Sequence, residues 1–154
     1  MTNPSPLPSI ALSIRQPWAT LIAHGFKDVE NRSRCIKKFC GPFLINASAG
    51  MTSAEYVECF KFLRERNLHD AAQFLERVGR LDRGGIVGVA HIFSHGNIAL
   101  RSAWYVSVGE NPWGTDGYWY QIKDAKPLPF TPCKARLGFF TVPDSVSAAL
   151  RLCV

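Results

Sequence analysis

Residues 12–32 read LSIRQPWATLIAHGFKDVENR. Outward from Leu12, residues 10–15 alternate with the two-residue period of a strand. Pro17 follows where its missing N–H costs nothing, in the first turn of a helix. Trp18, Leu21 and Ile22 fall at i, i+3 and i+4 on one face, and Gly25 stands where a left-handed residue ends a helix. The spacing predicts a short helix over 17–24, with the next strand over 27–34.

If residues 28–32 are extended, Asp28, Glu30 and Arg32 share one face and Val29 takes the other. Lys27, in the turn after the helix, can lean toward the same face, with Trp18 and Leu21 close in sequence. A lysine, a glutamate and an arginine forced together would perturb one another's pKa values, and such a cluster in a cleft is a candidate site. A surface ion-pair network is the alternative reading of the same residues.

Beyond this stretch, residues 41–48 carry Phe43-Leu44-Ile45, a continuous apolar run suited to a buried strand. Thr52 with Glu55 three residues on forms a capping box, and Tyr56, Phe60 and Leu63 repeat down one helical face. Ala71, Phe74, Leu75 and Val78 do the same in a second helix. Residues 84–93 form a glycine-opened, β-branched strand whose small residues suit a tightly curved sheet. The stretch 94–117 is longer than most structureless connections, which marks it as a functional or lid loop. Strands over 118–123 and 137–142, with a proline-broken extended segment over 127–132, complete the chain. The expected class is α+β, a small mixed fold built on a curved or closed sheet of five or six short strands with inserted helices. Neither GxGxxG nor GxxxxGK(S/T) is present, and no segment repeats.

The 154 residues, 47% hydrophobic and 19% charged, fit one domain over 10–154. The first ten residues hold three prolines and no lysine or arginine, unlike a secretory signal, and 1–9 read as a mobile tail. No apolar run approaches the roughly 18 residues of a membrane span. Five cysteines, Cys35, Cys40, Cys59, Cys133 and Cys153, lack paired CxxC spacing. They point to a reduced cytoplasmic protein without a structural metal. The net charge of +6 is unevenly placed. Residues 1–40 carry six cations against Asp28 and Glu30, residues 41–100 balance, and residues 101–154 carry six cations against four acids. A polyanion is expected to dock where the two flanking segments meet.

The run from Leu12 to Arg32, with Gly25, Lys27, Glu30 and Arg32 in a G-x-K-x-x-E-x-R arrangement, resembles the ASCH domain family, which is similar in fold to PUA domains. The resemblance extends to Gly41-Pro42-Phe43-Leu44-Ile45-Asn46-Ala47-Ser48, to Gly84-Gly85-Ile86-Val87-Gly88-Val89, and to Pro127-Leu128-Pro129-Phe130 with Gly138-Phe139-Phe140. These segments look like the longer bacterial members. What it implies is a small PUA-like curved or closed β-barrel of about five or six strands with inserted helices, and a basic cleft for RNA or nucleotides, Lys27, Glu30 and Arg32 on its wall and Arg15, Gln16 and Trp18 at its edge. Asn46 and Ser48 would add neutral hydrogen-bonding groups. Some small members are similar to amidohydrolases of N4-acetylcytidine, with a Lys and a Thr in this motif and a Glu on a later strand. Here Glu30 holds the Thr position and residues 84–93 contain no carboxylate. Other members are regarded as ribonucleases on single-stranded RNA.

Trp104, Trp113 and Trp119 fall with Tyr105, Tyr118 and Tyr120 in one stretch, and rings beside a basic groove are platforms for unpaired bases. One or two of the six, Trp119 first, are expected at the ligand and the rest in the core. Lys134 and Arg136 would complete a phosphate contact if the last strand returns beside the first; solvated loop charges are the equal alternative. His24 and His91 read as structural.

Three functional readings follow. In the first, a monomer binds single-stranded RNA or a nucleotide in the cleft with no cofactor. In the second the cleft hydrolyses, as a ribonuclease or an acylated-cytidine amidohydrolase, with Lys27 as nucleophile or proton donor, Glu30 as base and Arg32 holding an oxygen. A divalent ion enters only with the nuclease. In the third, the charge-balanced helices between Thr52 and Val78 make a non-enzymatic accessory that binds a partner.

Overall fold

The computed structural model describes residues 5–97, 111–115 and 117–154. Alternation in β1 (Ile10–Ile14) sends Leu12 and Ile14 into one apolar cluster and Ala11 into another on the opposite face of the sheet. β3 (Gly41–Ala47) repeats the division, with Phe43, Ile45 and Ala47 on the first side and Leu44 on the second. The expected helix is α1 (Trp18–Ala23), and Gly25 ends it at φ +79°. β2 (Val29–Arg32) then begins, shorter than the sequence suggests.

α2 (Ser53–Glu65) starts at Thr52 with the capping box formed in both directions, and α3 (His69–Val78) follows. The two helices cover a third cluster that includes Leu21, Val29, Leu63, Leu75, Trp113 and Trp119. The last three strands are β4 (Gly85–Asn97), β5 (Tyr118–Pro132) and β6 (Phe139–Thr141). Residues 118–132 form one strand rather than two segments. Its prolines, Pro127, Pro129 and Pro132, lie beyond residues 118–122, where β2 and the Asp28 carbonyl take its backbone, so among the described residues no second strand needs their missing N–H groups. Three register shifts in the β4–β5 ladder absorb the bending. The sequence reading stopped at Val142 and missed α4 (Asp144–Leu152), which buries only Val146 and Leu150 against the sheet. Among the described residues no helix is long and apolar enough to cross a membrane.

The strand order is β2-β5-β4-β3-β1-β6, mixed because β1 runs parallel to β3. β6 does return beside β1, antiparallel, with Ala11 opposite Phe140. The expectation of a closed barrel is nevertheless corrected: β2 and β6 are both edges, and no ladder joins them. Side chains span the seam instead. Arg32 Nη2, from edge strand β2, donates to the Ser13 carbonyl of β1 at 2.5 Å. In a flat sheet β2 and β1 would lie about 19 Å apart, four spacings of about 4.8 Å, beyond any arginine's reach. The sheet is therefore strongly curled. Tyr120 adds to the seam by donating its hydroxyl to the Lys37 carbonyl at 2.8 Å, and Phe39 packs 5.0 Å from Phe139.

Gly88 is where α1 sits down on the curled sheet. A Cβ there would lie 2.9 Å from the Cβ of Ala23 and 2.9 Å from the Lys126 carbonyl, closer than packed atoms allow. Gly88→Ala is expected to cost about 1–3 kcal/mol, seen as a lower urea midpoint with an unchanged slope.

Candidate functional site

The turn at Gly25 brings Lys27 back beneath α1, and alternation in β2 turns Val29 into the helical cluster while Glu30 takes the other side. Lys27 is 4% exposed and Glu30 7%, so two charged side chains are nearly fully withdrawn from water. Glu30 is held between cations: its Oε2 lies 3.6 Å from Lys27 Nζ and its Oε1 3.0 Å from Arg32 Nε. Arg32 Nε has no aligned hydrogen-bond acceptor among the described residues, so charge rather than a directed hydrogen bond holds that contact. Lys27 Nζ donates to the Val29 carbonyl and lies 5.6 Å from the centre of the Trp18 ring. Burial pushes the lysine's pKa down, and the neighbouring Glu30 carboxylate opposes that shift.

Two adjoining cavities open on this cluster. One of about 350 Å³ has Arg15, Trp18, Glu30 and Arg32 in its wall; the second, about 240 Å³, is reached past Trp18, Glu30 and Asn31 and has Lys27, Phe62 and Thr115 behind. Together they have the size of a small-molecule site. Their charges are Arg15, Lys27 and Arg32 against Glu30, Glu55 and Glu58. The lining is balanced, which corrects the expectation of a basic cleft: α2 places Glu55 and Glu58 over cations that the sequence left uncompensated.

The other expected residues divide. Arg15 reaches the cleft rim, but its guanidinium is forked onto Glu55, Nε to Oε1 at 2.5 Å and Nη2 to Oε2 at 2.7 Å. This contact and the Thr52 amide hold the Glu55 carboxyl down at about 2. Gln16 borders the cleft with both ends of its amide engaged, donating to the Asp82 carbonyl at 2.7 Å and accepting from the Thr20 amide at 3.1 Å. Trp18 forms a wall, edge-on to Phe62 at 5.3 Å. Ser48 sits one step away, its hydroxyl 3.0 Å from that of Ser13, whose carbonyl Arg32 holds.

Three expected residues are elsewhere. Asn46 points to the opposite face of the sheet, fully buried, and donates to the Cys133 carbonyl at 3.2 Å. The period of β3 places it with Leu44 rather than with Ile45. Trp119 is 3% exposed in the cluster beneath α2 and α3 and presents no open ring face to a base. Lys134 lines a different groove, with Arg136 and Leu137. Asp28 also leaves the cluster, accepting from Asn111 at 3.0 Å. Trp104 and Tyr105, with all of residues 98–110 of the expected functional or lid loop, lie outside the described residues. Of the other aromatics, Trp113 packs on Phe62, Tyr118 meets His95, and Tyr120 is fully buried. Among the described residues no three His, Cys, Asp or Glu side chains gather as a metal site.

Sequence reasoning missed Asn31, Glu58, Phe62 and Thr115. Asn31 is the most informative. Its Nδ2 donates to the Trp113 carbonyl at 2.8 Å and its Oδ1 accepts from the Thr115 amide at 3.1 Å, fixing residues 113–115 as the back of the cleft. The signal was its place inside the motif beside Glu30, but a long-range amide clamp leaves no periodicity to read.

No family model matches this chain, and no curated protein matches it. Among solved structures, a serine-to-alanine variant of the ASCH protein from Zymomonas mobilis superposes with a TM-score of 0.51 at 12% identity, covering 93% of this chain and 94% of that one. The ASCH structure from the same organism gives 0.49 at 13% identity, covering 93% of each chain. The first likeness shows the fold, that of an ASCH domain.

Because the Glu55 pKa is depressed, the Arg15–Glu55 contact stabilises the rim above the ordinary carboxylate value near about 4.3, and that contribution is lost as pH falls through about 2. Carbon-detected titration of Glu55 is expected to give a midpoint near about 2, and Arg15→Ala to move it back toward the ordinary value.

Proposed function

We propose that this chain, which has the ASCH fold, binds an unpaired nucleobase of single-stranded RNA, or the corresponding nucleoside, between Trp18 and Glu30. The observation that carries this reading is the Glu30 carboxylate, nearly buried, held from two sides by Lys27 and Arg32, and shared by both cavities. A carboxylate so fixed accepts from an exocyclic amine, as protein carboxylates accept from cytosine N4. Trp18 supplies the apolar face on which a base stacks, worth about 1–3 kcal/mol. The balanced wall suits a neutral base better than a phosphate group, and Arg32 at the rim is the cation positioned for the nearest phosphate.

A second reading rests on Lys27. An amine buried beside a carboxylate, with its pKa pulled down, is the environment in which a lysine takes part in proton transfer. In an amide hydrolysis, water would add to the acyl carbon as Glu30 takes its proton; the C–N bond would then break and the amine leave with that proton. In an RNA cleavage the same carboxylate would take the 2′-hydroxyl proton as that oxygen bonds to the adjacent phosphorus; the P–O5′ bond would break and the 5′-oxygen leave with that proton.

Calorimetric titration with cytidine, uridine and short oligoribonucleotides is expected to show preference for the amino-bearing base. Trp18→Ala should weaken all of them, and Glu30→Gln should erase the preference, a change of about tenfold or more for a contact worth over about 1.4 kcal/mol. Wild-type protein that binds none of these at low salt, or variants that change neither affinity nor preference, would overturn the binding reading. If RNA and N4-acetylcytidine both survive prolonged incubation, with and without divalent ions, the hydrolytic reading fails and the cleft only binds. If either is consumed, Glu30→Gln should slow turnover about 10²–10⁴-fold.

A further inference from the structure

The cleft is electrically balanced, yet the chain carries +6. The excess lies in two loops. Residues 33–40 contain Arg34, Lys37 and Lys38, residues 133–138 contain Lys134 and Arg136, and neither loop contains an acid. Ninety-odd residues apart in sequence, they meet in space through the return of β6 to β1. A Cβ at Gly138 would fall 2.6 Å from the Ile36 side chain, and Phe39 packs on Phe139. Between and beside them run two grooves of about 360 and 830 Å³ that share Leu137. The charged residues of these grooves are Arg32 and Arg34 in the first and Lys134 and Arg136 in the second. Arg32 also lines the cleft, so the cationic surface is continuous with it. Leu137, 94% exposed, stands between the grooves, and Ile36 is partly open beside it.

We propose that these two loops form a track for the phosphodiester backbone of single-stranded RNA, separate from the cleft and joined to it at Arg32. Cations without neighbouring acids are what a repeating phosphate chain requires, since each neutralised phosphate releases counterions. The exposed apolar side chains between those cations favour a single strand, whose unpaired bases can lie against them; a duplex hides its bases and would leave Leu137 in water. The track gives length dependence, while the cleft gives base preference. For its occupant this proposal rests on the nucleic-acid reading of the cleft, but its residues are not those of the cleft.

The test uses full-length protein with labelled oligouridylates of increasing length, whose base lacks an exocyclic amine, titrated at several salt concentrations. Wild-type affinity is expected to rise with length and fall with salt. Arg34→Ser, Lys134→Ser and Arg136→Ser combined should flatten the log–log salt slope by about 2, at about 0.7 per lost phosphate contact, and leave cytidine binding in the cleft unchanged. Single reversals Arg34→Glu and Arg136→Glu, each alone, give the same reading if the triple variant does not fold. A variant that keeps the wild-type slope and affinity overturns the track. So does capture of phosphatidylserine vesicles by these residues with no oligouridylate bound. If cytidine fails to bind wild-type protein while the triple variant still flattens the RNA slope, the cleft reading falls and the track stands.

Discussion

The fold turns on one side chain. Arg32 leaves the edge strand β2, passes Glu30, and donates to the Ser13 carbonyl of β1 across a seam that no backbone ladder closes. A sheet curled this far but left open exposes unpaired backbone groups along the seam, and a guanidinium with five donors is suited to span them. The same span makes a wall: β2 on one side, the start of α1 on the other, with the cleft between. Closing the sheet fully would have satisfied more backbone groups and removed the site.

That arrangement is costly. Withdrawing Lys27 and Glu30 from water carries a desolvation penalty that their 3.6 Å contact does not obviously repay. A buried ion pair is weak evidence for stability, and apolar residues of equal volume would pack there at least as well. Real proteins break the rules of core construction at functional sites and compensate elsewhere. Compensation here is visible nearby: three apolar clusters, with α1 seated on Gly88 and α2 capped by Thr52 and Glu55, hold the elements that carry the charged group. The departure from ordinary core chemistry is confined to a few residues around Glu30.

Much of this was legible in the chain because it is local. The helix ending at Gly25, the capping box at Thr52, the strand faces of Ile10–Ile14 and Gly41–Ala47, and the meeting of Lys27, Glu30 and Arg32 all follow from spacing within a few residues. What was not legible is long-range. Glu55 and Glu58 neutralise the cleft because α2 crosses over it, a fact about tertiary packing that charge counts along the chain could not reveal. Asn46 lies within β3 on the face of Leu44, where it donates to the Cys133 carbonyl, whereas Ser48 lies beyond the end of that strand; where a strand stops is not written in its alternation. Trp119 has the chemistry of a stacking platform, but packing beneath α2 and α3 buries it, and no local pattern tells a core ring from an open one. The open seam was hidden for the same reason: pairing of β6 with β1 can be inferred from strand count, but whether β2 then reaches β6 depends on accumulated twist.

The separation of charge from pocket bears on how discrimination would arise. A cleft that was itself strongly cationic would hold any phosphate-bearing ligand at its mouth, and affinity would come without base preference, since phosphate contacts carry no sequence information. A balanced pocket would remove that non-selective attraction from where the proposed base would sit. Its acids do this in two different ways. Glu55 is spent on Arg15 and neutralises the rim, whereas Glu30, clamped between Lys27 and Arg32, keeps a fixed direction toward the shared boundary of the two cavities. Under the proposed track, long-range attraction would fall to loops 33–40 and 133–138, whose cations lie outside the pocket lining. On that reading selectivity and affinity would rest on different residues, because the residues lining the cleft and those lining the two cationic grooves overlap only at Arg32.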